Sequence, residues 1–338
     1  MTNHRILFTA PGIAEFAVCD VPVVGAGKVL VKLSRSSISS GTERANLVGD
    51  PNIGPGSPGQ VVFPRWGGYS SVGEVTAVGE GIRSVRVGDR VSCSWSVHMR
   101  YCLMNENDVH LLPPEIDDTT AALLHIATFP LAAIRKCRLE IGESVIIMGQ
   151  GVLGQLAVQL ARAAGAAPVI AVDPVEAKRE RALVLGADYA LDPFAEDFAG
   201  TVKRITDGGG KVAIEVTGLG AGLDMVLDCM APFGRVALLG CTRNSDFTID
   251  YYRKVHGPGI TLVGAHTRAR PQYESHEGWW TERDDVKALI RLISLGRLNP
   301  AVLLEEVHSP EEAPAVYARL AQGGAFPMVQ FDWTQLPD

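Results

Sequence analysis

Six consecutive residues in the middle of the chain have the types and spacing that hold a phosphate chain: Gly149, Gln150, Gly151, Val152, Leu153 and Gly154. Glycine at the first position permits a tight turn. At the third it leaves no Cβ between the backbone and an approaching pyrophosphate. At the sixth it lets the following helix pack closely on the preceding strand. The start of that helix presents free N–H groups and a partial positive charge to the phosphates. Asp173 lies 19 residues beyond Gly154, where its carboxylate would accept hydrogen bonds from the adenosine ribose hydroxyls. Its negative charge would repel a 2′-phosphate, so NAD is favoured over NADP. The alternative for Asp173 is a helix cap for the segment that starts at Val175. Lys178 and Arg179 temper the NAD reading, because a cation there could serve a 2′-phosphate.

Such a turn works only between a strand and a helix. Ser144 to Met148 reads as a buried strand and Val152 to Ala164 as the helix, stopped at Gly165. Pro168 to Val172 is a second strand, and Glu176 to Leu185 a second helix stopped at Gly186. Strands are expected at Val212 to Val216, Arg235 to Leu239 and Ile260 to Val263, separated by helices near Phe198 to Thr206 and Leu223 to Met230. This alternation predicts a parallel sheet covered on both faces, hence an α/β, doubly wound fold with right-handed crossovers. The region before it differs. Short apolar runs (Val29 to Leu33, Gly73 to Val78) and a turn at Gly88 to Val91 are separated by Gly, Pro and Ser clusters, so residues 1–120 read as β-rich. Pro51 to Gly59 must be a loop. After His266 the alternation stops. Arg283 to Leu295 and Pro310 to Leu320 read as amphipathic helices, and Val329 to Phe331 as a last strand. The divisions implied are 1–120, 121–265 and 266–338.

Bulk properties exclude some partners. The 338 residues include 46% apolar and 20% charged residues, with net charge −7 and a pI of about 5.7. No block of Lys and Arg stands out, so neither nucleic acid nor an anionic membrane is expected as a partner. The most apolar stretch, Val145 to Val172, is too interrupted to span a bilayer. No secretory signal is read at the N-terminus. Six scattered cysteines, none in a CxxC pair, suggest reduced thiols and a cytoplasmic protein.

The sequence resembles the medium-chain dehydrogenase/reductase superfamily, whose best-known members are the zinc alcohol dehydrogenases. The resemblance is carried by Ser40-Gly-Thr-Glu43, Gly73-Glu-Val-Thr-Ala-Val-Gly79, Gly88-Asp-Arg-Val91, the glycine turn and Leu185-Gly-Ala-Asp188, in the family's order and spacing. It implies a GroES-like catalytic domain, split in sequence, around an inserted Rossmann domain. It also implies hydride transfer at a nicotinamide, with Thr128, Thr217, Gly240 and His266 joining the glycine turn, Asp173 and Lys178 as cofactor contacts. Dimers or tetramers are the family habit, and the strand Ile260 to Val263 would pair across a two-fold axis.

The departures concern the metal. Zinc members carry a catalytic Cys where this chain has Ser40, a ligand His where it has Tyr69, and a third ligand near Leu124. The four-cysteine structural zinc lobe is missing. A catalytic zinc needs at least three good protein donors, so a zinc-independent member is expected, with no metal. The competing reading is a rearranged metal site using His98, His125 or His256. The closest likeness is to zinc-independent sugar, cyclitol and bacteriochlorophyllide-type dehydrogenases, on Ser36 to Glu43, Gly68 to Gly73, and Tyr252-Arg-Lys-Val-His256 with Gly264-Ala-His266.

Without zinc, a side chain must take the hydroxyl proton. Thr42 matches the family's relaying hydroxyl. Tyr69 would point its phenol into the former metal cavity, and His125 titrates near neutral pH. Glu43 matches a carboxylate that orients the ligand His; here it would orient another group or pair with Arg44 or Arg65. For each, a structural role is the alternative: a turn hydroxyl, cavity filling, a satisfied buried histidine. Trp66, Trp95, Trp279 and Trp280 are candidates to line the substrate cleft, or else core. The leading expectation is an NAD-dependent, zinc-independent dehydrogenase of a secondary alcohol or ketone, a sugar or cyclitol. The alternatives are a zinc-free quinone or enoyl reductase using NADPH, transient sugar oxidation that enables an elimination, and a dinucleotide-binding protein without turnover.

Overall fold

The computed structural model describes residues 2–50 and 61–337; the loop expected at Pro51 to Gly59 lies outside them. Contacts divide the chain into two compact units. The first comprises Met1–Ile126, Val286–Ser294 and Asn299–Asp338, and the second Ala127–Asp285 and Leu295–Leu298. Residues 121–126 therefore go with the first unit and 266–285 with the second, whereas the sequence divisions lay at 120 and 265. Side-chain chemistry accounts for the second shift. Arg135 donates to Asp285 at 3.1 Å, and Arg270 lies 3.5 Å from the same buried carboxylate, which holds the end of this segment in the second unit.

The first unit is built on two sheets. Strands β1 (Asn3–Ala10), β2 (Ile13–Cys19) and β4 (Arg65–Trp66) form an antiparallel sheet in the order β2-β1-β4. The larger sheet contains β3 (Lys28–Ser37), β5 (Ser70–Val78), β6 (Arg90–Ser94), β7 (Tyr101–Asn105), β8 (Val109–Leu111), β15 (Glu306–His308) and β16 (Val329–Asp332). Its order is β15-β16-β3-β5-β6-β8, with β7 also on β3, and only β15 and β16 run parallel. Val29, Val31 and Leu33 alternate along β3 into one core with Val75, Val91, Phe331 and Trp333, the period-2 burial of a strand with one inner face. Helices α1 (Ser40–Val48), α2 (Asp118–Ala121) and α9 (Ala313–Gln322) belong to this unit.

The second unit alternates strand and helix: β9 (Val145–Met148), α4 (Val152–Ala163), β10 (Val169–Val172), α5 (Glu176–Val184), β11 (Tyr189–Leu191), α6 (Phe198–Ile205), β12 (Gly210–Glu215), α7 (Gly220–Asp228), β13 (Met230–Leu238) and β14 (Thr261–Gly264). Its strands are all parallel, in the order β11-β10-β9-β12-β13-β14. That is the doubly wound order, reversing between β9 and β12. Every residue of β9 and β10 is buried, as a sheet covered on both faces requires. Helix α7 begins three residues before the expected Leu223, because extended Leu219 caps it. Helices α3 (Leu124–Lys136) and α8 (Glu282–Ser294) each cross from one unit's residues to the other's. No helix among the described residues is long and apolar enough to cross a membrane.

Candidate active site

The glycine turn joins β9 to α4 at the reversal of strand order. Gly149 has φ +99°, a conformation that strains any residue with a side chain. A Cβ on Gly154 would come within 1.9 Å of the Gly149 carbonyl oxygen. This glycine therefore lets α4 press on the turn at the end of β9. A Cβ on Gly151 would meet nothing within 4 Å, so the fold leaves the space above this exposed backbone open. Gly151 caps α4, with half-buried Val152 and Leu153 in its first turn. An open cradle over free helix N–H groups fits a pyrophosphate. Gln150 is fully buried. Its Nε2 donates to the Ile147 carbonyl at 2.9 Å, and its backbone carbonyl accepts from Gln155 Nε2 at 3.0 Å.

Asp173 ends β10 beside this turn. One carboxylate oxygen accepts from the Gln150 N–H at 2.8 Å, the other from the Val175 N–H at 2.9 Å. The cap residue of α5 is Val175, so Asp173 is not the helix cap. Each oxygen keeps acceptor capacity for a ribose hydroxyl. Lys178 Nζ lies 3.9 Å from the carboxylate, while Arg179 donates to the Asp173 and Pro174 carbonyls at 2.8 and 2.9 Å.

Across the reversal, β12 ends in Glu215, a buried carboxylate that sequence reading passed over. It accepts from the Thr217 N–H at 2.8 Å, the Gly218 N–H at 3.1 Å and the Thr217 hydroxyl. Burial pushes this carboxyl above the usual range, against the pull of those donors. Thr217 therefore spends its hydroxyl on Glu215, and its methyl lies where a Gly149 Cβ would be, at 3.0 Å. Gly240 abuts Gly218, its virtual Cβ only 2.2 Å from the Gly218 nitrogen. Glycines at 149, 218 and 240 thus let three strand ends close on one another. Thr128 is buried on α3. His266 Nδ1 accepts from the Arg268 N–H at 3.2 Å, and burial, with Arg268, Lys136 and Arg243 nearby, lowers its pKa. Trp279 lies under Lys136 Nζ, 4.8 Å from the ring centre, and Trp280 under Arg135 at 3.5 Å. Burial lowers the Lys136 pKa to about 8.

In the first unit, three rings expected from separate arguments come together. Tyr69 meets His125 edge-on with centroids 5.4 Å apart, Trp95 meets His125 at 4.6 Å, and Tyr69 and Trp95 are 6.3 Å apart. His125 is fully buried at the start of α3; Tyr69 and Trp95 are partly exposed. Trp95 has φ +59°, an unfavourable conformation for an aromatic residue and of a kind that clusters at functional sites. The Trp95 N–H donates to the Tyr69 carbonyl at 2.8 Å, which laces the two segments together. Trp66 is elsewhere: it sits on β4 opposite Leu7 and is 50% exposed. Thr42 is half-buried in the first turn of α1, its carbonyl bonded to Asn46.

Glu43 takes the first of its two expected arrangements, against another group. It pairs with neither Arg44 nor Arg65. One oxygen accepts from the Ser39 N–H at 2.8 Å; the other faces His98 Nε2 at 3.1 Å and accepts from the Tyr317 hydroxyl. His98 is thus spent inside the first unit, apart from the His125 ring cluster. His256 stands exposed in the second unit against Tyr251 and Tyr252. The donors at the family's ligand positions do not fit zinc: Ser40 offers a hydroxyl, Tyr69 a phenol, and Leu124 no donor. Among the described residues no three His, Cys, Asp or Glu are grouped to hold a metal ion.

Comparison with known proteins bears on the fold and the family. Residues 152–282 match the zinc-binding dehydrogenase family. The L-threonine 3-dehydrogenase of Pyrococcus horikoshii is 31% identical over 328 residues, covering 87% of this chain and 88% of its own. The D-guloside 3-dehydrogenase of Escherichia coli is 25% identical over 333 residues, covering 93% and 94%. The structure of benzyl alcohol dehydrogenase from Acinetobacter calcoaceticus superposes with a TM-score of 0.84 at 20% identity, covering 98% of this chain and 99% of that one. The chain belongs to the medium-chain dehydrogenase/reductase superfamily of alcohol dehydrogenase-like oxidoreductases.

Proposed function

We propose that this protein interconverts a secondary alcohol and its ketone with NAD and without zinc, and that the alcohol is a sugar or cyclitol. The observation that carries the reading is the ring cluster of Tyr69, Trp95 and His125. Two of its members stand at or beside positions where zinc members hold their metal, and both can handle a proton. When bound, the dinucleotide supplies a nicotinamide carbon that takes or gives hydride. Gly149 to Gly154 and Asp173 hold it, with Thr128, Thr217, Gly240 and His266 as further contacts. Asp173 carries the preference for NAD, because its charge opposes a 2′-phosphate.

Tyr69 Oη takes the substrate hydroxyl proton in oxidation and returns it in reduction. His125, packed edge-on against the phenol, is the second candidate for that proton, and the Thr42 hydroxyl, by family likeness, is the relay. Trp95 presents an aromatic face to the C–H face of a sugar ring. Trp66 and Trp279 lie outside the cluster, so substrate packing is assigned to Trp95 first. The D-guloside 3-dehydrogenase relative, named for a sugar derivative, supports the substrate class. Free thiols at all six cysteines support a cytoplasmic protein. The edge strand β14 supports a homodimer or homotetramer.

The test is a panel of sugars and cyclitols with NAD, read by reduced-nicotinamide absorbance, on the native chain and on Tyr69→Phe and His125→Ala. Loss of the proton carrier lowers turnover by about 10²–10⁴-fold while NAD still raises the melting temperature. Near-native turnover in both variants rejects the proton assignment. Stoichiometric tightly bound zinc in protein purified without added metal rejects the metal-free chemistry.

A further inference from the structure

Five side chains from distant parts of the first unit form one continuous buried chain of hydrogen bonds. The Trp333 indole N–H donates to Ser36 Oγ at 2.8 Å, and Ser36 Oγ lies 2.7 Å from His98 Nδ1. His98 Nε2 is 3.1 Å from Glu43 Oε2, which also accepts from the Tyr317 hydroxyl. All five residues are buried to 1% exposure or less. The proton order follows from the donors. Indole N–H can only donate, so Ser36 gives its own proton to His98 Nδ1. Nε2 then carries the ring hydrogen and donates to Glu43. Every group is satisfied with His98 neutral and Glu43 charged. Burial and the Glu43 charge push the Tyr317 phenol well above its usual range, so it remains a donor.

This chain lies against the backbone that carries Tyr69. A Cβ on Gly67 would stand 3.0 Å from Glu43 Oε2, 3.1 Å from the Tyr317 hydroxyl and 2.8 Å from Phe8. A Cβ on Gly68 would stand 2.8 Å from the His98 backbone nitrogen and 2.9 Å from its ring Cγ. The His98 N–H donates to the Gly67 carbonyl at 3.1 Å, as the Trp95 N–H does to that of Tyr69. Two side-chain-free residues thus let the main chain rest on the network, and the next residue is the phenol.

We infer that Glu43, His98 and Tyr317 are positioning residues: their buried network seats Gly67 and Gly68 and so sets where Tyr69 stands against Trp95 and His125. Glu43, expected to orient another group or pair with an arginine, acts through the backbone. This inference rests on the proposed role of Tyr69 for its meaning but not for its test, which needs no substrate. Tyr317→Phe keeps the ring packing and removes one donor; Ser36→Ala breaks the chain at its far end, away from the glycines. Two readouts apply: amide hydrogen exchange at Trp95 and His98, and the ring resonance of Tyr69 in protein labelled at tyrosine, assigned with Tyr69→Phe. In Tyr317→Phe the two amides exchange about tenfold faster, as expected when a local hydrogen bond is lost, and the Tyr69 resonance moves while that of exposed Tyr273 does not. Ser36→Ala gives a smaller change of the same kind. Native exchange rates with an unmoved Tyr69 resonance in both variants overturn the inference. A silent Tyr69→Phe in turnover would reject the proton role while leaving these readouts to decide the network.

Discussion

The two units each contain a buried carboxylate, Asp173 in one and Glu43 in the other, held in opposite ways. Asp173 accepts from two backbone N–H groups, that of Gln150 across the sheet on the glycine turn and that of Val175 two residues on, and keeps a cation, Lys178, at 3.9 Å. Glu43 is closed by side chains 55 and 274 residues away in sequence, besides the Ser39 N–H. A carboxylate seated on one main-chain donor per oxygen keeps lone pairs for a ligand. One enclosed by distant side chains has its acceptor capacity spent on the fold. The first arrangement suits binding, the second suits positioning.

Substitution separates the two. Glu43→Gln turns an NH2 group toward buried donors, which costs about 1–3 kcal/mol of stability for each donor left without an acceptor. Asp173→Asn loses one charge-assisted bond in a turn that other backbone bonds also hold, and costs about 1–3 kcal/mol. Urea unfolding of both variants measures the difference. Cofactor affinity should run the other way: Asp173→Asn loses preference for NAD over NADP, and Glu43→Gln retains it. Equal stability losses, or a loss of preference confined to Glu43→Gln, would break the comparison.

The glycine turn sharpens it at the next level of effect. In Gly154→Ala the new methyl collides with the Gly149 carbonyl, so stability falls by about 1–3 kcal/mol and NAD binding falls with it. In Gly151→Ala the methyl meets no protein atom. The melting temperature then stays native, while NAD affinity drops about tenfold, or about 1.4 kcal/mol, because the methyl occupies the approach to the backbone. Calorimetric titration with NAD beside thermal unfolding separates the two glycines. A Gly151→Ala chain that binds NAD as the native one does would remove the pyrophosphate from this turn.

These two sites also differ in how far a sequence reveals them. The demands at Gly149 and Gly154 are local, one on φ and one on a contact five residues back, so six letters carry them. The strands around them are read just as directly, because a buried parallel strand is an unbroken apolar run. The ring cluster joins residues 69, 95 and 125, which no periodicity links; family likeness located Tyr69 and His125, while Trp95 stood out only as an aromatic. The same aromatic argument chose Trp66, which is half-exposed, and Trp279, which lies under Lys136. Tyr317 carried no local signal and His98 drew notice only as a possible metal donor, since their partner Glu43 reaches them only after the sheet and α9 have assembled.

The smallest effect concerns Glu215, which falls between the two types: its donors are the local Thr217 and Gly218, yet burial raises its carboxyl above the ordinary glutamate range. The sign follows from linkage. As pH falls from neutral, folded Glu215 takes up a proton at a pH where the unfolded chain does not. The folded state then binds more protons, so this group adds stability as pH falls through the window between its raised value and the ordinary one. Protonation also takes an acceptor from the Thr217 and Gly218 donors, which loosens the loop beside Gly149. In Glu215→Gln the proton uptake is absent. Measured by urea unfolding as pH falls from neutral toward the ordinary glutamate range, the native chain gains stability relative to the variant, while its NAD affinity declines over the same range. Parallel stability curves would show that the three donors offset the burial and that Glu215 belongs with Asp173.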